Sequence, residues 1–219
     1  EYGLNHLYCG METGSDRVLQ LVNKGFDSNT VIQSGCLAKE ANMTLSEFIL
    51  LGIGGKEYSE ENARKTADAL NIIRPDFIRV HATGFKPGTM MWQLIQEGTI
   101  SLQSEEEIVR EQRLFLQCLK EMNSYYVNEH IVNLLLEVRG NLLSEKDQML
   151  SDIDRFLSLP PEERLLFAVG RRFNVFFFLD DLKKSELRSQ ARLYMDEIKK
   201  KNPNVDFAFL CNYVRQSQI

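Results

Sequence analysis

Cysteine is scarce in this chain and poorly spaced for holding metal. Cys9, Cys36, Cys118 and Cys211 are its four cysteines, and none belongs to a C-x2-C or C-x3-C pair that could begin a zinc or iron–sulfur site. They read as reduced, buried thiols, although spacing alone leaves disulfides open. No apolar run reaches the roughly 20 residues of a membrane helix. Phe173 to Leu179, the longest candidate, is interrupted by Asn174 and closed by Asp180 and Asp181. Excess positive charge is lacking too. With 26 Lys and Arg against 31 Asp and Glu, the formal net charge of −5 provides no diffuse field to draw in a polyanion. Nucleic acid is therefore not expected as the principal partner, although Lys199, Lys200 and Lys201 form a local basic patch. Glu1 to Gly10 have neither the basic start nor the long apolar stretch of a secretory signal, and they read like the middle of a protein. These absences predict a cytoplasmic chain with no membrane partner. Nothing in it resembles a serine or cysteine nucleophile with its base and orienting acid.

What is present suits one main core with a C-terminal extension, since 219 residues at 43% hydrophobic can bury a sizeable core but would be cramped as two domains. Leu7 to Met11 reads as a strand, followed by a tight turn and a helix capped by Ser15 that carries Val18, Leu19, Leu21 and Val22, with Gly25 suited to its end. Ser28 can cap a second helix reaching about Asn42. The apolar run of Phe48, Ile49, Leu50, Leu51 and Ile53 suits a parallel strand covered on both faces. Ser59 can cap a helix with Ala63, Thr66, Ala67, Leu70 and Ile73 at helical spacing, stopped by Pro75, and Phe77 to His81 reads as a third strand. Strand, helix, strand, helix, strand implies right-handed crossovers and a parallel sheet or part of a β/α barrel, which three strands cannot close.

Beyond Pro87 the pattern turns helical. A short helix is expected within Gly88 to Gln96, a capping box at Ser104 and Glu107, a helix from Ser144 to Leu157, and further helices at Glu162 to Val169 and Glu186 to Lys200. Phe173 to Leu179 reads equally as strand or buried helix, and its Phe173, Phe176, Phe177 and Phe178 as core or interface. Glu129, His130 and Asn133 have helical spacing, which reads as a packed or solvent-facing helix before it reads as a ligand pair. The fold class is α/β: a partial barrel of about three parallel strands over 1–100, a helical continuation over 101–160, and a helical tail of unknown role over 161–219.

Three motifs stand in order at the strand ends. They are Tyr8-Cys9-Gly10-Met11-Glu12-Thr13-Gly14-Ser15 followed by Asn23-Lys24-Gly25, then Phe48-Ile49-Leu50-Leu51-Gly52-Ile53-Gly54-Gly55-Lys56-Glu57, then Phe77-Ile78-Arg79-Val80-His81 with the later Lys86-Pro87-Gly88-Thr89. The first resembles the fourth strand and following helix of radical S-adenosylmethionine (SAM) proteins, where Gly-x-Glu-(Ser/Thr)-Gly-Ser is common. The others resemble the fifth-strand glycine motif and the sixth strand of the same superfamily. The resemblance covers Leu4 to Thr99. It is to the Fe–S oxidoreductases grouped with the elongator catalytic subunit, methylthiotransferases and anaerobic coproporphyrinogen oxidases, and it extends with less specificity to about Leu157.

That resemblance implies SAM and a [4Fe–4S] cluster in a parent protein, the cluster being held by three cysteines after the first barrel strand. Reduction of the cluster then cleaves SAM to a 5′-deoxyadenosyl radical. This chain has no such cysteine triplet and no counterpart of the first three strands, so it is expected to hold no cluster and to make no radical by itself. Carried over residue by residue, the cofactor-binding candidates are Glu12, Ser15, Gly52, Gly54, Gly55, Val80 and His81. Glu12 would accept hydrogen bonds from the SAM ribose or ammonium, or else serve only the following helix. The glycines would let backbone approach adenine and ribose, or else make a tight turn. Val80 and His81 would present backbone groups and an apolar wall, with the His81 side chain an ordinary strand-end residue. The competing class of function is a non-catalytic binding module derived from a β/α barrel. In either case the first strand lacks a neighbour, so self-association through the exposed edge, or protection by the tail, is expected. Substrate and reaction product are not legible.

Overall fold

The structure, a computed structural model, describes residues 3–218. Its first strand, β1 (His6–Glu12), ends in a register shift between Gly10 and Glu12, where Glu12 takes a left-handed φ of 63°. Ser15 caps α1 (Asp16–Leu21) by accepting from the Val18 N–H, as the sequence predicts. The next cap differs from expectation. Asp27, not Ser28, accepts from the Thr30 N–H and starts α2 (Ser28–Glu40), because a carboxylate one residue earlier is the stronger acceptor for the free N–H groups.

The strand β2 (Thr44–Leu51) leads to α3 (Ser59–Ile73), which ends on a left-handed Arg74 just before Pro75. Ser59 is the first helical residue of α3 and not its cap, its hydroxyl donating to Glu111 instead. Then come β3 (Phe77–Ala82), α4 (Met90–Gln96) under a Thr89 cap, and α5 (Glu105–Cys118) with the expected capping box between Ser104 and Glu107. The strands β4 (Tyr125–Val127) and β5 (Gly140–Asn141) complete a five-stranded sheet in the order β1-β2-β3-β4-β5. Its first four strands are parallel and β5 runs antiparallel to β4. The α/β class thus holds, with one more parallel strand than the sequence suggests.

The remaining chain is helical: α6 (Lys146–Leu157), α7 (Pro161–Arg172), α8 (Ser185–Lys201) and α9 (Phe207–Gln216), the last not foreseen. The phenylalanine run is neither strand nor α-helix. Phe176 turns inward and stacks on Phe167 at 5.8 Å, while Phe177 and Phe178 stay exposed ahead of a 3-10 turn at Leu179–Lys183. Residues 128–139 also form no helix, because Asn133 is needed elsewhere. Its side chain donates to the Val80 carbonyl at 2.6 Å and accepts from the Ala82 N–H at 2.8 Å, closing the edge of β3 beyond the reach of the short β4.

Strand alternation divides the sheet. Leu45, Ile49 and Leu51 of β2, with Ile78, Val80 and Ala82 of β3, are buried in one core with residues of α2, α3 and α5. The opposite face carries His6, Tyr8, Phe48, Phe77, Arg79 and His81, all half-buried or exposed. Among the described residues no helix is long and apolar enough to cross a membrane.

Candidate functional site

The half-open sheet face is built around Arg79. Its guanidinium lies over three rings, 5.3 Å from Tyr8, 5.9 Å from Phe48 and 5.8 Å from Phe77. His6 stacks on Tyr8 at 4.3 Å, and Phe48 meets His81 edge-on at 5.5 Å. His81 in turn lies 4.4 Å from the ring of His130, which the loop after β4 brings back over the sheet. Arg79, His81, Val127, Glu129 and His130 line a cavity of about 250 Å³ here. Burial, then His130, then Arg79 push the His81 imidazole down to about 4, so it is neutral at physiological pH. A neutral imidazole offers one donor and one acceptor, while Arg79 is the fixed positive charge beside it. Such a face can take a flat ring and an anionic group together.

The sequence-predicted residues do not all meet at this face. Glu12 forms an ion pair with Lys24 at 2.6 Å, a partner already inside the quoted motif. Ser15 is buried, accepting from the Val18 N–H and donating to Glu61 at 2.6 Å, so its hydroxyl is used within the fold. Val80 also lines the cavity beside Arg79 and His81, with its side chain in the core and its carbonyl bonded to Asn133. His81 does face the open side.

Gly52, Gly54 and Gly55 are buried, and the space that they keep clear belongs to the protein itself. A Cβ on Gly54 would stand 2.8 Å from the Tyr58 Cβ, and one on Gly55 would stand 2.9 Å from the Ser101 carbonyl. With φ of 79° at Gly52 and 64° at Gly55, the backbone here makes a tight left-handed turn. Glu111 of α5 holds the turn. Its carboxylate accepts from the Gly52 N–H at 2.9 Å, Ser59 Oγ at 2.6 Å, Asn62 Nδ2 at 2.7 Å and Gln103 Nε2 at 2.9 Å. Burial raises the Glu111 carboxyl even so, since no cation helps these four donors.

The sequence gives no site role to Arg79, which stands inside the third motif, reads Asn133 only as part of a helix, and does not single out Glu111. Arg79 carried a usable signal, since a cation between Ile78 and Val80 in a strand with aromatic neighbours marks a face that is not simply core. Glu111 had none, because all of its partners except Gln103 lie 49 to 59 residues away in sequence, and those of the Asn133 side chain lie 51 to 53 away.

No protein-family model and no curated protein matches this chain. Among solved structures it is similar to an archaeal Elp3 from Methanocaldococcus infernus with an N-terminal deletion of residues 1–46, at 17% identity and a TM-score of 0.47. The match covers 54% of this chain and spans only 28% of that one.

Proposed function

We propose that this chain forms the C-terminal part of a radical SAM-type β/α barrel, and that the Arg79-centred face is part of the wall against which SAM and substrate lie. The observation that supports this reading is the face itself. In a β/α barrel the sheet side away from the helices turns inward, and ligands gather at the C-terminal ends of parallel strands. The three ordered motifs lead out of those ends in β1, β2 and β3. Arg79 would pair with a carboxylate, Tyr8, which is 59% exposed, would stack on a flat ring, and neutral His81 would orient a hydroxyl or amine.

The residues present do not fit a [4Fe–4S] cluster. Among the described residues no three His, Cys, Asp or Glu are grouped to hold a metal, and Cys211 is buried with its thiol pushed up to about 12. A cluster would have to come from other parts of a parent protein. This chain's own part is to bind, orient and exclude water.

A second reading, a non-catalytic binding module, draws on the internal pairs at Glu12 and Ser15, which leave those side chains satisfied without a ligand. One experiment separates the two. The complete reading frame, produced without oxygen and reconstituted with iron and sulfide, is expected to release 5′-deoxyadenosine from SAM under reduction, and Arg79→Met is expected to raise the KM for SAM at least about tenfold, the loss of roughly one charge-assisted hydrogen bond. Iron-free protein with no 5′-deoxyadenosine would leave the binding module as the function.

A further inference from the structure

Beneath β1, on the helix-covered side of the sheet and away from Arg79, Glu47 is buried in an apolar setting with only 1% of its surface exposed. It lines a cavity of about 170 Å³ together with Cys9 and Met11 of β1 and Phe26 and Val31 at α2. Oε2 of Glu47 is buried without a hydrogen-bond partner. A carboxyl group so placed is disfavoured as an anion unless a donor or a cation answers it.

The surrounding donors are committed elsewhere. The Thr30 hydroxyl donates to Asp27 at 2.7 Å, and the Ser34 hydroxyl donates to the Thr30 carbonyl at 2.8 Å, so the polar side chains that α2 brings to the cavity are spent on their own helix. Lys24, from the turn after α1, is held by Glu12 at 2.6 Å. Of the titratable groups that β1 brings, Glu12 repels a second negative charge, and the Cys9 thiol is itself pushed up, by burial first and then by Glu47. Burial and Glu12 hold the Glu47 carboxyl at about 8. The fold thus provides an acid in a mainly apolar cleft, and the cation nearby, Lys24 over the Phe26 ring at 5.8 Å, is already paired with Glu12.

We propose that this cavity binds a small organic ammonium cation, a single charged nitrogen on a compact apolar body, with Glu47 as its counterion. The volume is right for such a body, since a cavity on the order of 150 Å³ accepts benzene. Entry of the cation at neutral pH expels one proton from Glu47 to solvent and leaves a carboxylate–ammonium pair, so charge and protons balance. This site does not depend on the reading of the Arg79 face.

The probe is benzylammonium, with benzyl alcohol as its neutral counterpart, titrated calorimetrically into the 219-residue chain. Saturable binding of the cation is expected, with one proton released near pH 7 and affinity rising by up to about tenfold per pH unit between about pH 6 and 7.5 as the Glu47 proton becomes easier to displace. Glu47→Gln should weaken benzylammonium at least about tenfold and leave benzyl alcohol unchanged, the size of effect expected for a lost charged hydrogen bond. Equal affinity for the two probes, no saturable binding, or an unaffected Glu47→Gln would overturn the proposal. Should that variant fail to fold, alkylation of Cys9 in the unsubstituted chain decides. Protection by benzylammonium beyond that by benzyl alcohol supports the site, and equal or absent protection removes it.

Discussion

His81 shows how far one side chain's chemistry is set by its neighbours. With its ring at 4.4 Å from His130, beside Arg79 and partly buried, the imidazole is disfavoured as a cation, and its value falls to about 4 from an ordinary 6.5. Because the folded value is depressed, the folded state binds the proton less readily than the unfolded chain. His81 therefore contributes no pH-dependent loss above about 6.5, and stability falls as pH drops from there towards 4. NMR titration of the His81 ring protons should give a midpoint near 4, and His130→Ala should move that midpoint upward; a midpoint that stays put would show that burial and Arg79 alone set it. At this scale the sequence was partly legible. A histidine at a strand end was visible as a candidate, but its neutrality was not, because His130 lies 49 residues away and reaches it only through the fold of the loop after β4. Glu12 is the converse. Its partner Lys24 stood in the same motif, yet no periodicity rule brings a strand-end acid to a lysine beyond the next helix.

Elements that depend on local rules formed as the sequence implies. The capping box at Ser104 and Glu107, the Ser15 cap and the left-handed end of α3 before Pro75 each involve residues within one turn of one another. Apart from the caps of α2 and α3, the features missed are those held by distant partners. β4 is three residues long and exists because Tyr125 to Val127 pair with Phe77 to Arg79. α9 is fixed by Asn212, whose side chain accepts from the Phe85 N–H at 2.9 Å and donates to the Phe85 carbonyl at 3.1 Å. The glycine turn after β2 belongs with them, since Glu111 of α5 gathers its N–H and three side chains. Glu111→Ala is expected to leave those buried donors unanswered and to cost about 3 kcal/mol, read as a lower urea midpoint, with faster amide exchange over 52–62 than in the strands. Uniform loss of protection across the sheet would show instead that the turn and the sheet are one cooperative unit.

On the scale of the whole molecule, β1 has one strand partner among the described residues, β2, so its other edge is open. Tyr8 of this strand is 59% exposed, and Leu4, just before it, is 70% exposed. An unpaired strand with apolar side chains templates pairing with another chain unless something covers it. Light scattering is expected to show concentration-dependent association, and Tyr8→Lys to weaken it; a chain that stays monomeric throughout the micromolar range would mean that the edge is protected in solution. What the sequence by itself determined is the α/β class, the order of the first three strands and their helices, and the scarcity of metal-binding cysteines. Each follows from patterns that repeat or cap within a few residues. Tertiary structure alone decided that the glycines pack against their own chain, that Arg79 gathers three rings, and that Glu47 is left in a cleft with an oxygen unpaired. Those outcomes rest on groups tens of residues apart, whose separation and burial only the folded chain sets.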